Sequence, residues 1–185
     1  EVSSLGIRMI TLSGGEPLCH PDFQKIVKHI YDKNCTAFII TNATLINKDM
    51  AEFLAKMNPG VQITLDGGTS QIHDRSRGIN TFDRQRLALD LLHKSNYKGA
   101  VNVRTNIWKG NLSYDNLESI VEFCYKYKIG MISFSLAHET EKFSDNIDDY
   151  SSCEQIVEWV NILKGKYSNM DISFKEGELD FGCLS

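Results

Sequence analysis

Short runs of β-branched and other apolar residues alternate along the chain with segments in which apolar residues recur every three or four positions. The first pattern is typical of buried strands and the second of amphipathic helices. Helical spacing is seen, for example, in Phe23, Ile26, Val27 and Ile30. The runs predicted to be strands are residues 8–12, 36–41, 61–66, 101–107, 131–136 and 171–175. The alternation predicts repeated β-α units, arranged as an open doubly wound sheet or as a barrel.

Residues suited to helix starts fall where the helical patterns begin. They are Pro21 for a first helical turn, the candidate caps Asn47, Thr81 and Ser113, and a capping-box pair of Ser151 and Glu154. We expect a helix to begin at each of these positions.

Polar residues collect at the ends of the predicted strands, where both α/β architectures place their ligands. Asn42 or Asp66 alone is equally well explained by a strand-end turn or a helix cap. Polar residues at five consecutive strand ends, however, predict a ligand site along one rim of the sheet. The set comprises Gly14, Gly15 and Glu16, then Thr41 and Asn42, Thr64 and Asp66, Arg104 and Asn106, and finally Ser135 and His138.

The stretch TLSGGEPLCHPDF, residues 11–23, places a glycine pair and a carboxylate at the first of these strand ends. Because Gly14 and Gly15 have no Cβ atoms, the backbone can approach a ligand and offer its N–H groups. Glu16 adds an acceptor beside them. We expect this loop to hold a ligand.

The composition of the chain disfavours some classes of binding partner. The chain has 185 residues, of which 42% are hydrophobic, and a formal net charge of −4. This length allows one substantial core, and the charge gives no reason to expect a nucleic acid or a membrane surface as a partner. No run approaches the roughly 18 apolar residues of a membrane span, and the first residues lack the pattern of a signal peptide. The expected location is the cytoplasm.

The five cysteines are scattered and include no CxxC pair, which is neither a disulfide framework nor a zinc site. Cys124 and Cys153 fall on apolar helix faces, where we expect buried, inert thiols. Cys19 and His20 are adjacent, but they have no partners at a spacing that suits a metal.

Several motifs in order resemble the radical S-adenosylmethionine (radical SAM) family, and more closely its branch of peptide and protein maturases with a cysteine-rich SPASM-type extension. The resemblance runs from about residue 5 to residue 136. It is carried by ITLSGGEPL, FIITNATL, QITLDGGTSQIHDRSRG, TFDRQRLAL and NVRTNIWKGN. The fold that it implies is α/β, a partial (βα)6 TIM-like barrel whose first βα unit is missing here.

The resemblance also implies roles for individual residues in binding S-adenosylmethionine. The GGEP loop, Gly14 to Pro17, would receive the amino group of the cofactor. Thr64 and a basic residue such as Arg77 would hold its carboxylate, although Arg77 is also explained as a solvated loop arginine that pairs with Asp74. Catalytic residues are not assigned. The expected cofactor-binding set is Gly14, Gly15, Glu16, Pro17, Thr41, Asn42, Thr64, Asp66, Arg77, Asn106 and Leu136, with Thr41, Asn106 and Leu136 expected near the ribose and adenine.

One family feature is absent from the sequence. The resemblance implies a CxxxCxxC loop that binds a 4Fe-4S cluster, and no such motif occurs in the 185 residues. We therefore expect a fragment truncated at both ends and inactive alone. Residues 1–175 would form the radical SAM core from its second strand onward, and residues 176–185, with Cys183, would begin the cysteine-rich extension.

Three functions remain open at this point. The first is a piece of a radical SAM enzyme that cleaves its cofactor reductively and abstracts hydrogen from a substrate, expected to be a peptide or protein. The second is a cluster-free relative that only binds a peptide or nucleotide. The third is an unrelated βα-barrel aldolase or isomerase, which the lack of an obvious Schiff-base lysine disfavours. The residues do not name the substrate.

Two further expectations concern contacts with other molecules. The acidic segment 137–151 would lie at the rim and meet a positively charged part of the substrate. Strand 8–12 would be an unprotected edge with unpaired N–H and C=O groups, through which the chain self-associates.

Overall fold

In the part of the chain that the structure describes, six parallel strands form one sheet whose spatial order is the order of the chain. The computed structural model describes residues 6–137 and 150–175. All six predicted strands are confirmed, and β3 is the one whose bounds shift most, ending at Thr64 rather than at residue 66. The strands are β1 (Met9–Leu12), β2 (Thr36–Thr41), β3 (Gly60–Thr64), β4 (Val101–Ile107), β5 (Met131–Leu136) and β6 (Asp171–Lys175).

The order of the strands decides between the two predicted architectures. A doubly wound sheet reverses its strand order at a switch point, whereas here every crossover proceeds in the same direction. Strands that always advance the same way keep their helices on one face and curve towards a barrel. Among the described residues β1 and β6 do not pair with each other, so the barrel is open. The doubly wound alternative is therefore wrong, and the predicted partial barrel is confirmed.

Within the described ranges six α-helices connect the strands, and a short 3₁₀ turn at Pro17–Cys19 precedes the first of them. The helices are α1 (Phe23–Asp32), α2 (Lys48–Met57), α3 (Ser70–Arg77), α4 (Thr81–Lys94), α5 (Tyr114–Lys126) and α6 (Tyr150–Lys166). In the described core Cys124 is buried as predicted, whereas Cys153 is only half-buried.

Two of the predicted caps are confirmed. The Asn47 side chain accepts a hydrogen bond from the backbone N–H of Met50, at 2.9 Å. The Ser113 hydroxyl accepts one from Asn116 N, at 3.2 Å. Both side chains satisfy a donor that a helix start leaves unpaired.

The other predicted helix starts are wrong in detail. Thr81 is the first residue of α4, and its hydroxyl donates to Asp74 Oδ1 at 3.0 Å instead of capping. Pro21 lies in the turn before α1, which begins at Phe23. Helix α6 begins at Tyr150, so Ser151 lies inside it, and the side chain of Ser151 is outside the described residues.

The two faces of the sheet differ in polarity. Residues such as Ile39, Ile63, Val103 and Ile132 are buried against the helices. Alternate positions of the same strands turn away from the helices, because successive residues of a strand point to opposite faces. In β3 to β6 these positions form what we call the polar face, which is mostly half-exposed and consists of Gln62, Thr64, Asn102, Arg104, Asn106, Ser133, Ser135 and Ser173.

The unpaired side of β1 predicts self-association. Within the described residues β1 pairs only with β2, and Met9 and Thr11 are exposed. We expect the 185-residue chain to add strands at this edge, so that its mean mass in sedimentation equilibrium rises with concentration. Replacing Met9 and Thr11 with Lys should reduce the association, because charged edge residues oppose strand pairing.

The control for this prediction adds a positive charge elsewhere. Gln24→Lys changes an exposed position of α1 and should leave the association unchanged. A wild-type chain that remains monomeric over a wide concentration range would contradict the prediction.

Candidate functional site

The GGEP loop after β1 presents bare backbone. Gly14 has a φ of 140°, a conformation that side-chain-bearing residues rarely adopt. A Cβ atom built on Gly14 or on Gly15 would meet no atom within 4 Å. The space beside the glycine pair is therefore open to an approaching ligand.

The Glu16 carboxylate connects this loop to the end of β2. It accepts hydrogen bonds from Leu18 N at 3.1 Å, from the Thr41 hydroxyl at 2.7 Å and from Asn42 N at 2.8 Å. Glu16 thereby caps the 3₁₀ turn that begins at Pro17, and not helix α1. Because a carboxylate has about four acceptor sites, one further donor can still bind.

Thr41 and Asn42 support the loop through their side chains. Thr41 is 4% exposed, and besides donating to Glu16 its hydroxyl accepts from Ala43 N at 2.9 Å. The Asn42 carbonyl oxygen Oδ1 accepts from the backbone and the hydroxyl of Thr44. Both side chains are therefore engaged within the turn that follows β2.

Gln85, from α4, ties the ends of β2 and β3 together. Its Nε2 donates to the backbone oxygens of Asn42 and Thr64, at 3.0 Å each, and the residue is 2% exposed. Sequence reasoning missed Gln85. The available signal was a polar residue on the buried face of a helix, at helical spacing from Ala88 and Leu89.

Asp66 is a fully buried carboxylate directly beyond β3. It accepts from the Arg77 Nε at 2.5 Å, from the Ser76 hydroxyl at 3.0 Å and from Asn106 N at 3.0 Å. The alternative that Arg77 pairs with Asp74 is therefore wrong. Arg77 is 29% exposed, and its Nη2 is buried with no partner among the described residues. That atom is a donor in need of an acceptor.

His73, on α3, contacts the backbone just beyond the end of β3. It is buried, and its Nδ1 accepts from Asp66 N at 3.1 Å, so its proton is on Nε2. Burial lowers the pKa of His73 to about 4, which outweighs the opposing effect of the Asp66 charge. The imidazole is therefore neutral at pH 7.

Asp74 forms no hydrogen bond with Asp66 in the described part of the chain, unlike His73 and Arg77 of the same HDxxRG motif. Its carboxylate accepts from Asn80 N, Phe82 N and the Thr81 hydroxyl, and so caps helix α4. Burial favours the protonated form, but these hydrogen bonds prevail and lower the pKa of Asp74. The motif thus holds α3 and α4 in place around Asp66.

Two buried asparagines close the loop after β3, and sequence reasoning missed both. Asn111 Nδ2 donates to the backbone oxygens of Asp66 and Asn106, at 2.9 Å each. Asn116, on α5, accepts from Gly68 N at 3.1 Å and donates to Asn111 O at 2.9 Å. A Cβ atom on Gly68 would lie 2.0 Å from Ser119 Oγ, so only glycine permits this close approach of α5.

The remaining expected site residues divide between the two faces of the sheet. Thr64 is half-buried on the polar face, in register with Arg104, and its hydroxyl has no partner among the described residues. Asn106 lies on the same face. Leu136 is in register with the buried Ile107, and therefore faces the helices and packs against the core. His138 lies outside the described residues.

The rim therefore has an acceptor at one end and donors further along. Glu16 offers a negative charge at the ends of β1 and β2, whereas the Thr64 hydroxyl and the Arg77 guanidinium offer donors beyond β3. Ammonium groups need acceptors and carboxylates need donors. The rim of this open βα barrel therefore has the charge distribution that a zwitterionic ligand requires.

Comparison with known proteins identifies the family. Residues 1–124 match the radical SAM superfamily, and the chain belongs to it. It is 34% identical over 116 residues to the AdoMet-dependent heme synthase of Methanosarcina barkeri, covering 60% of this chain and 32% of that protein. It is 30% identical over 114 residues to the mycofactocin maturase MftC of Mycobacterium tuberculosis, covering 61% and 29%. The unrelated aldolase or isomerase is thereby excluded.

A solved structure has the same fold. SuiB of Streptococcus suis superposes with a TM-score of 0.72 at 20% identity, over 92% of this chain and 39% of that one. SuiB has been solved with S-adenosylmethionine and with the precursor peptide SuiA. The chain spans about a third of the length of the curated relatives named above.

The described residues contain neither a three-ligand metal site nor a membrane-spanning helix. Within residues 6–137 and 150–175, no group of three or more His, Cys, Asp or Glu side chains is placed to hold a metal ion. These residues do not fit a 4Fe-4S cluster. No helix in the same ranges is long and apolar enough to cross a membrane.

The lowered pKa of His73 predicts a pH dependence of stability. The pKa is about 4 in the folded protein and 6.5 ordinarily, so between these values the unfolded chain binds more protons. Stability should therefore fall as the pH drops from 6.5 to 4, by up to about 3 kcal/mol from this group. His73→Gln, which keeps an acceptor for Asp66 N, should give a flatter profile in urea titrations.

The control for this prediction is His29→Gln, a change of an exposed histidine on α1. Its profile should run parallel to that of the wild type. A His73→Gln profile as steep as the wild type would show that His73 does not titrate in this range.

The contacts of Gln85 predict a second effect on stability. Gln85→Leu removes the hydrogen bonds to Asn42 O and Thr64 O, and should lower the free energy of unfolding by about 1 to 3 kcal/mol. Gln85→Glu should be worse at pH 7, because it places a carboxylate against two carbonyl oxygens, and should recover partly in acid. Gln155→Leu, at an exposed position of α6, is the control. Equal stability of wild type and Gln85→Leu would contradict the assigned role.

Proposed function

We propose that the chain forms the cofactor-binding part of a radical SAM enzyme that acts on a peptide. The observation that carries the proposal is the polarity of the rim. Glu16 retains one acceptor site next to a bare glycine pair, and the unpaired donors of Thr64 and Arg77 lie beyond it. The methionine end of S-adenosylmethionine requires this combination of groups.

The residues of the rim fit the cofactor at both charged ends. The ammonium group would donate to Glu16, with Gly14 and Gly15 leaving room for close approach. The carboxylate would accept from the Thr64 hydroxyl and from the guanidinium of Arg77, whose Nη2 is otherwise unpaired. Asp66 holds that guanidinium in place. An orphaned buried donor is costly, by about 1 to 3 kcal/mol, and a bound carboxylate removes this cost.

The chemistry of the family requires a group that the described residues do not hold. A 4Fe-4S cluster would supply the electron for reductive cleavage of the cofactor, and the CxxxCxxC motif that would bind it is absent from the sequence. This chain's residues bind and orient the cofactor only. Its SPASM-type extension is proposed to begin in residues 176–185, which lie outside the described residues, as do residues 138–149 of the acidic segment 137–151.

A peptide as substrate is proposed from the relatives. MftC is named a maturase, PqqA peptide cyclase is also among the similar proteins, and SuiB was solved with a precursor peptide. The polar face of the sheet, half-exposed and rich in amide and hydroxyl groups, suits a ligand with many peptide groups.

The proposed role of Glu16 predicts a loss of affinity. Glu16→Gln keeps the shape of the side chain but removes its charge, weakening a charge-assisted hydrogen bond of about 1.5 to 3 kcal/mol. The affinity of the chain for S-adenosylmethionine should fall by about ten- to a hundredfold. Titration of the isotopically labelled chain, followed through the Asn42 amide signal in NMR spectra, measures this affinity.

A control is needed because Glu16 also supports the fold. Asn47→Ala removes the cap of α2, a side chain that bonds only to Met50 N among the described residues, and should cost about 1 kcal/mol of stability without changing the affinity. Equal affinities of wild type and Glu16→Gln, with a lower melting temperature of the variant, would mean that Glu16 is structural only.

A further inference from the structure

Arg104 lies in the middle of the polar face and has no ionic partner among the described residues. It is half-buried on β4, between Thr64 on β3 and Ser133 on β5. None of the ion pairs of the described residues includes it. Its one hydrogen bond there runs from Nε to the Ser135 hydroxyl, at 3.2 Å. Both terminal nitrogens of the guanidinium are thus left for another acceptor.

The hydrogen bond from Arg104 determines which atoms of Ser135 and Asn106 donate and which accept. An arginine can only donate, so the Ser135 oxygen must accept from it. The Ser135 hydrogen then goes to Asn106 Oδ1, at 3.3 Å. Asn106 consequently turns its NH₂ group away from Ser135, and this group has no acceptor among the described residues. The unpaired nitrogens of Arg104 and Asn106 together present N–H donors on the polar face.

The orientation of Arg104 separates it from the cofactor's methionine end. Its Nε bond draws the guanidinium towards β5 and away from Thr64. Glu16 is bonded to the end of β2, which is two strand spacings of about 4.8 Å from β4. The ammonium and carboxylate of an α-amino acid are attached to one carbon, so an ammonium on Glu16 does not bring its carboxylate to Arg104.

We propose that Arg104, oriented by Ser135 and assisted by the Asn106 side-chain NH₂, binds a carboxylate of the substrate peptide on the polar face. Arginine matches a carboxylate with two parallel hydrogen bonds, and its half-buried position strengthens them relative to an exposed pair. The site adds a substrate class, acidic peptides, to the proposed function and rests on it. The carboxylate comes from an acidic side chain or from the peptide's C-terminus.

Three short peptides test the site and distinguish the two sources of the carboxylate. They are acetyl-Gly-Glu-Gly-amide, acetyl-Gly-Gln-Gly-amide and acetyl-Gly-Gln-Gly with a free C-terminus. Each is titrated into the isotopically labelled 185-residue chain without cofactor, and the Arg104 Nε–H and Asn106 NH₂ signals are followed by NMR. At least one carboxylate peptide should bind about tenfold more tightly than the neutral peptide. Equal binding of all three would overturn the proposal.

Variants of Arg104 supply the second arm of the test. Arg104→Gln should abolish the preference for a carboxylate, and Arg104→Lys should retain part of it, because the charge remains but the paired geometry is lost. Arg84→Gln removes an exposed charge on α4 and should keep the full preference. Melting curves verify that each variant is folded. If Arg104→Gln is unfolded, the peptide preference of Arg104→Lys is used to test the role of Arg104. A variant of Arg104 that keeps the full preference would overturn the proposal.

A cofactor titration separates this proposal from the function on which it rests. The affinity of Arg104→Gln for S-adenosylmethionine should stay within about twofold of the wild type, and a loss of about tenfold would place Arg104 in the cofactor site and overturn the proposal. If the wild type binds no cofactor but discriminates the peptides, the proposed function fails and the carboxylate site stands.

Discussion

The buried charge of Asp66 is the constraint on which the rest of the rim depends. A carboxylate removed from water is tolerated only when donors surround it, and loss of one partner of a buried pair costs about 3 to 5 kcal/mol. Here three donors come from two elements, namely Arg77 and Ser76 on α3 and the backbone N–H of Asn106 at the end of β4. Satisfying one charge therefore fixes the strand end, the helix and the next strand relative to one another.

Hydrogen bonds extend from this point in both directions along the rim. On one side Thr64 O is joined through Gln85 to Asn42, whose N–H reaches Glu16. On the other, Asn106 leads through Ser135 to Arg104. The groups that face the ligand thus belong to one connected band, in which each hydrogen bond restricts the orientation of the side chains that it joins.

The fold was predictable because strand and helix periodicity are local properties of the chain. All six strands and the caps Asn47 and Ser113 were found from short windows of sequence. The partner of Arg77 was not, because Asp66 and Asp74 are both near in sequence and only the packing of α3 decides between them. Gln85 and Asn116 were missed for a related reason. Their amides replace apolar residues on buried helix faces, and their partners are backbone groups, which carry no signal in the sequence.

The unpaired hydrogen-bonding groups make the two ends of the rim different in charge. Within the described residues, the internal hydrogen bonds leave an acceptor site at Glu16 and unpaired donors at Thr64, Arg77, Asn106 and Arg104. A ligand with one cation and one anion can satisfy only the part from Glu16 to Arg77. Arg104 and Asn106 lie beyond it, towards β5, and still present a positive charge on a half-buried surface. The proposed carboxylate of the substrate would accept from these donors, and it would belong to a molecule that lies over the polar face rather than at the GGEP loop.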